Sequence, residues 1–282
     1  MLYNKKIVEL TPAKLQIITM SINKSFLQFV PIICHLFSLA VATNISAILY
    51  DVSPFIKVYK NGTVERLFGT SIVPASFDPT AKVLSKDIKI SPKLNVSARI
   101  YLPKNANCKL PLLVYFHGGA FFTESAFSPT YHSYLNSLVA KANIVAVSVN
   151  YRLAPENPLP IGYQDSWLAL KWVFSHAKGK IGNYEEWLKK YVDFGHVYLG
   201  GDSAGGNIAH NMAIWVGSDM GIVLDGLFLN CPHFWGKTLI GNESNDPKRA
   251  GVMESIWVHA YRILRVSMTR YRIRVWIRIF RS

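Results

Sequence analysis

The chain has 282 residues, half of them hydrophobic, and carries 31 Lys and Arg against 17 Asp and Glu for a formal net charge of +14. The length and an alternation of strand-like and helix-like segments fit one α/β domain and exclude a repeat array or a low-complexity protein. Most of the charge sits at the two ends: residues from Arg262 onward hold +7 and residues 1–42 hold +3, leaving +4 for the middle. No basic stripe of the kind that marks a nucleic-acid-binding domain is present there, so no nucleic-acid partner is expected.

Taken from the N-terminus, the first informative segment is FLQFVPIICHLFSLAVA, from Phe26 to Ala42. Lys24 precedes this apolar run and Ala40, Val41 and Ala42 close it, the pattern of a secretory signal peptide started from Met20 and cleaved near Ala42. Residues 1–42 are therefore set apart as a leader, and a secreted or endomembrane location is expected, with a cytoplasmic one as the alternative. Pro31 and His35 count against an uncleaved anchor, which needs about 20 predominantly apolar residues, so no stable membrane span is expected. Asn44, Asn61, Asn95 and Asn242 stand in N-x-S/T sequons, which secretion permits. Cys34 falls in the leader; Cys108 and Cys231 could form one disulfide, but nothing in their spacing supports it, so two free thiols are expected. The remaining histidines are scattered with no metal-ligand spacing, so neither a metal nor a cofactor is implied.

Leu112 to Phe116 is a continuous apolar, strand-length run that ends abruptly in His117, Gly118, Gly119, Ala120 and Phe121. Acyl transfer places negative charge on a carbonyl oxygen, and backbone N–H groups approach that oxygen only where no side chain intervenes. The glycines after this strand fit such an oxyanion loop. The N–H groups of Gly118, Gly119 and Ala204 are assigned as donors, each loss costing roughly 3 kcal/mol. His117, at the strand end, is assigned to support of the loop. A second buried-strand run, Ile144 to Val149, leads into Tyr151, Arg152, Leu153, Ala154, Pro155 and Glu156, where Arg152 and Glu156 are expected to fix their loop. Leu168 to Phe174, with Trp167, reads as a helix, and Tyr184 to Tyr191 as another short one.

Val197, Tyr198 and Leu199 then form a strand-like run into Gly201, Asp202, Ser203, Ala204 and Gly205, with a helix-like run beginning near Asn207. Strand, GxSxG turn and helix, in that order, make Ser203 the candidate nucleophile: the sharp turn exposes its Oγ, and the glycines avoid collision with strand and helix. Asp202 faces a different direction and is expected to brace the turn rather than to act as an acid.

HGGAF, YRLAPE and GDSAGG, in this order, resemble the hormone-sensitive-lipase-like branch of the α/β-hydrolases. The flanking SPFIKVYKNGTVERLFGT, FSPTYHSYLNSLVAKANIVAVSVNYRLAPENPLP and CPHFWGKTLIG resemble the plant carboxylesterase family within it, over roughly Asp51 to Tyr261. The resemblance implies an α/β-hydrolase domain with a mostly parallel central sheet, here residues 43–261, and a serine carboxylesterase acting on a small-molecule ester. Gibberellin-receptor members, which have lost the triad histidine, imply the alternative of a ligand-binding relative. Hydroxyisoflavanone dehydratase members have threonine where this chain has Ser203, which favours the esterase.

In this fold the acid and the histidine follow the serine on loops after later strands. After the helix from Asn207 to about Val216 and a strand from Leu224 to Asn230, two further strand-helix units are needed, each of about 30 residues, and the stretch 233–282 does not readily supply them. The acids on offer are Asp219, Asp225, Glu243, Asp246 and Glu254, and the bases His233 and His259. His233 lies in the CPHFWG turn and His259 in an amphipathic helical run, both better suited to packing. No triad Asp or His is therefore assigned, the sheet is expected to be incomplete at its C-terminal end through truncation, activity of the chain is in doubt, and a nonfunctional truncated product stands as the second alternative to the esterase. Residues 262–282, RILRVSMTRYRIRVWIRIFRS, hold seven arginines and no acids. They read as an anion-binding tail, a cationic edge strand, or, the reading preferred here, translated intron or out-of-frame sequence.

Overall fold

The structure is a computed structural model, and it describes residues 47–177, 185–219, 223–235 and 246–261. The leader and the arginine-rich tail lie outside the described residues. The described residues divide into two units, one of residues 47–49 with 58–63 and one of residues 50–57 with the described residues from 64 onward. In the smaller unit, Tyr59 N–H donates to Thr63 O and Gly62 N–H to Tyr59 O, closing a tight turn at Gly62, whose φ is 88°.

The strands in chain order are β1 (Ile48–Val52), β2 (Ile56–Tyr59), β3 (Val64–Arg66), β4 (Phe77–Asp78), β5 (Val83–Ser91), β6 (Val96–Pro103), β7 (Leu110–Phe116), β8 (Val145–Asn150), β9 (Val192–Asp202) and β10 (Gly226–Asn230). The helices are α1 (Pro129–Ala142), α2 (Ile161–Ser175), α3 (Glu186–Tyr191), α4 (Ala204–Asp219) and α5 (Pro247–Tyr261). Strands β4 to β10 make one seven-stranded sheet in the order β10-β9-β7-β8-β6-β5-β4. The pairs β10/β9, β9/β7 and β7/β8 are parallel, whereas β8/β6, β6/β5 and β5/β4 are antiparallel. All strands but β6 and β4 consequently point the same way, the mostly parallel sheet of the sequence reading.

Strand β7 is buried on both faces, which is why it reads as an unbroken apolar run rather than an alternation. Leu113 and Tyr115 pack under α1, in a cluster with Val83, Tyr101, Tyr131, Leu135 and Val139. On the other face α4 lies across β7, β9 and β10, and α2 packs on α4, with Trp167 and Trp215 in edge contact, ring centroids 5.6 Å apart. Helix α1 begins with Pro129, whose fixed φ and missing N–H suit the first helical turn, and ends at Asn143 in the left-handed conformation.

Strand β8 follows β7 on one side, and β9 is added on the other, so the chain reverses its direction of winding around β7. Crevices at the carboxyl ends of strands form at such a switch point. The two motif turns, 117–121 after β7 and 201–205 after β9, end neighbouring strands there. At one margin of the sheet β10 is an edge strand among the described residues, with Leu227 and Phe228 42% and 45% exposed.

Candidate active site

Ser203 joins β9 to α4 at φ 48°. A non-glycine residue in this left-handed region costs about 1–2 kcal/mol and persists only where its surroundings over-determine it. They do so here. Ser203 N–H donates to Asn230 O (3.0 Å) at the end of β10, and Ser203 O accepts from His233 N–H (2.7 Å) and Asn207 N–H (3.1 Å). Gly201 and Gly205 are required by space: a methyl group at Gly205 would run into the carbonyl oxygens of Phe116 and His117, and one at Gly201 into the carbonyl groups of Gly205 and Phe116.

Asp202 braces the turn, through tyrosines that no local pattern announces. Its Oδ1 accepts from Tyr115 Oη (3.0 Å) and its Oδ2 from Tyr131 Oη (2.9 Å). Tyr131 Oη in turn accepts from Gly118 N–H (2.7 Å). Burial and the Asp202 charge push both phenols far above their ordinary pKa, so both remain donors at any physiological pH. A chain of hydrogen bonds therefore runs from the nucleophile turn, through Asp202 and Tyr131, to the glycine loop.

That chain revises one oxyanion assignment. Gly118 N–H, read from the sequence as a donor to the anion, is already satisfied by Tyr131. Gly118 is required for a different reason, since a Cβ there would lie 2.6 Å from Asp202 Oδ2. The N–H groups of Gly119 and Ala204, and that of Ala120, which the sequence reading did not include, have no acceptor among the described residues. Gly119, Ala120 and Phe121 all have positive φ, at 101°, 54° and 67°, and Gly119 O accepts from Phe122 N–H (2.9 Å) and Thr123 N–H (3.0 Å). A Cβ at Gly119 would overlap Thr123 O.

His117 is fully buried. Its Nδ1 lies 2.8 Å from Gly118 O, its ring stacks on Tyr151 at 4.3 Å, and Tyr151 Oη donates to His117 O (2.7 Å). Burial lowers its pKa to about 4, so the imidazole is neutral and its Nδ1–H is the donor to Gly118 O. Arg152 forks onto the buried Asp165, with Nε to Oδ2 at 2.8 Å and Nη2 to Oδ1 at 2.7 Å, while Arg152 N–H also reaches Oδ2 (3.0 Å). Glu156 pairs with Arg66, a partner 90 residues away that the sequence reading did not include.

The acids and bases considered for a triad are dispersed. His233 is buried beside the turn, but its ring stacks on Trp257 (5.2 Å) and approaches Phe121 edge-on (6.4 Å), and burial lowers its pKa to about 4. His259 stacks on Tyr50 (4.1 Å), and its Nδ1 lies 2.8 Å from Ser255 O. Asp225 pairs with His196 at 3.1 Å, but His196 stands seven residues before Ser203 along a strand, about 23 Å away at 3.3 Å per residue. Asp246 caps the start of α5 by accepting from Lys248 N–H. Glu243 lies outside the described residues. Among the described residues no imidazole is hydrogen-bonded to the Ser203 side chain. Cys108 and Cys231 are free and exposed.

A parallel-centred sheet with a left-handed serine at a glycine-bounded strand-to-helix turn, beside a glycine loop on the adjacent strand, defines a hydrolase architecture. Residues 113–272 match the family model of the alpha/beta hydrolase fold, and the chain belongs to that family. Within it the chain is a member of the plant carboxylesterase family. It is 47% identical to "Probable carboxylesterase 5" of Arabidopsis thaliana over 75% of this chain and 68% of that protein. It is equally 47% identical to a 2-hydroxyisoflavanone dehydratase of Glycyrrhiza echinata, over 75% of this chain and 67% of that one. Among solved structures it resembles the Pyrobaculum calidifontis esterase, with a TM-score of 0.51 and 31% identity over 63% of this chain and 56% of that one. A thermostable carboxylesterase cloned from a metagenomic library gives a TM-score of 0.52 and 27% identity, over 68% of this chain and 62% of that one. The chain thus spans less than two thirds of these solved structures.

Proposed function

We propose that the protein hydrolyses small-molecule carboxylic esters through an acyl-enzyme on Ser203. The observation that carries this reading is the conformation of Ser203, held left-handed between β9 and α4 by three backbone hydrogen bonds. Strain of this kind is kept where it aims a side chain. In the proposed reaction Ser203 Oγ attacks the ester carbonyl while a general base takes its proton. The oxygen that becomes negative is met by the N–H groups of Gly119, Ala120 and Ala204, the alcohol departs, and water releases the acid. Asp202 and His117 hold the two loops and take no proton. Neither His233 nor His259 supports the role of base: the first is packed between aromatic rings and the second is bonded within its own helix. Loss of the base from a serine hydrolase lowers turnover by on the order of a millionfold, so the source of this base decides the rate.

A fluorophosphonate probe, with p-nitrophenyl acetate hydrolysis in parallel, tests the reading on the native protein. Labelling that maps to Ser203 and disappears in Ser203→Ala is the expected result. A folded protein that neither labels nor hydrolyses would overturn it and favour a ligand-binding role for the same crevice. The leader pattern over residues 26–42 supports a secreted or endomembrane location. A native N-terminal peptide starting near Thr43 is expected, and one starting at Met1 or Met20 would overturn the location.

A further inference from the structure

The loop after β7 is held in a conformation that its residues do not favour. Ala120 and Phe121 both occupy the left-handed region, with φ 54° and 67°, directly after Gly119 at 101°. Side-chain-bearing residues stay there only under external restraint, and the restraint falls on two successive carbonyls. Phe121 O accepts from Ala154 N–H (2.9 Å). Phe122 O accepts from Arg66 Nε (2.7 Å), reaching in from β3.

The rest of the guanidinium is equally engaged. Its Nη2 donates to Ala154 O (3.3 Å), and its two terminal nitrogens fork onto Glu156, Nη1 to Oε1 at 2.9 Å and Nη2 to Oε2 at 2.8 Å. One side chain therefore ties the glycine loop to the 154–156 segment, and the carboxylate at the end of that segment fixes the plane of the fork. Glu156 is half-buried, which pushes its carboxyl up, yet the Arg66 hydrogen bonds and charge outweigh this and hold it below the usual range. With side chains 22% and 46% exposed, an ordinary surface pair would contribute little. The two main-chain carbonyls on the same guanidinium set this pair apart.

We infer that Arg66 is a positioning residue for the oxyanion loop: its guanidinium, oriented by Glu156, holds the strained 119–121 turn so that the N–H groups of Gly119 and Ala120 keep their aim. Lysine cannot substitute, because a single ammonium does not span Phe122 O, Ala154 O and both carboxylate oxygens. The inference rests on the hydrolase reading above, and its test separates the two.

Arg66→Ala, Arg66→Lys and Glu156→Gln are compared with the wild type by hydrogen exchange of peptides covering 117–124 and by fluorophosphonate labelling resolved into probe affinity and maximal rate. Exchange in that peptide should rise in Arg66→Ala and Arg66→Lys, less so in Glu156→Gln, with the core strands unchanged. The maximal labelling rate should fall about 10- to 100-fold with probe affinity nearly constant. Unchanged exchange in 117–124 would overturn the clamp itself. Raised exchange with an unchanged labelling rate would overturn its role in positioning. If Arg66→Ala does not fold, Glu156→Gln decides by the same two readings. A wild type that never labels removes the hydrolase reading and this inference with it, while exchange still reports separately whether the clamp exists.

Discussion

A methyl group added at Gly205 has nowhere to go, because the positions it would occupy belong to the carbonyl oxygens of Phe116 and His117. Those oxygens are backbone at the end of a buried strand and cannot swing aside. Gly205→Ala is expected to destabilise the protein by about 2–4 kcal/mol, read as a lowered urea midpoint at constant slope. Tyr131→Phe removes one oxygen and strands two partners, the buried Gly118 N–H and Asp202 Oδ2. A cost of about 1–3 kcal/mol is expected from the unsatisfied N–H, accompanied by slower labelling of Ser203, and equal urea midpoints for wild type and variant would refute it. Ser203 and the glycines could be read from the sequence because their spacing is a local signature of one turn. The bonds that decide which N–H groups are available could not: Gly118 meets Tyr131 at 13 residues' separation, and Arg66 meets Phe122 at 56. Neither distance leaves a periodic trace.

Among the elements, the buried parallel strands were legible and the antiparallel half of the sheet was not. Strands β7 and β8 differ from the apolar runs 112–116 and 144–149 by two residues or fewer at either end, since burial on both faces makes them continuous. Strand β5 is half-buried over most of its length after the buried Val83, with Asp87 and Lys89 exposed and the charged Lys86 among the half-buried positions, so its residues resemble a solvated loop until β6 pairs with it. Helix α4 starts at Ala204 rather than near Asn207 because Asn207 N–H already donates to Ser203 O and closes the first turn on the serine itself. The 152–165 segment is fixed at the element level by Arg152 on Asp165, which is 1% exposed. Asp165→Ala leaves Arg152 unpaired, but its side chain is 23% exposed and can reach water. The expected cost is therefore about 2 kcal/mol, below the 3–5 kcal/mol typical of a fully buried pair, checked by chemical denaturation.

For the molecule as a whole, two buried histidines contribute to the response to acid. Burial lowers His117 and His233 to about 4 in the folded state, whereas in the unfolded chain they titrate near 6.5. Between these values the unfolded state binds more protons, so stability falls as pH drops from about 6.5 toward 4. His132, lowered by burial and then by Arg99, acts in the same direction. Urea midpoints at pH 7.5, 5.5 and 4.5 should decrease in that order, and His233→Phe should flatten the trend. A midpoint independent of pH over this range would contradict it.

Strand β10 has a consequence for handling the protein. Among the described residues its outer margin has no partner strand and its Leu227 and Phe228 are exposed, which offers main-chain groups and apolar surface to a neighbouring molecule, while a formal net charge of +14 keeps neighbouring molecules apart. Salt shortens the reach of that repulsion from about 10 Å at 0.1 M to about 3 Å at 1 M and leaves strand pairing untouched. Association at the β10 margin of the described sheet is thus opposed by like charge, and the buffer shifts the balance: dilute salt favours separate molecules, and concentrated salt favours their contact.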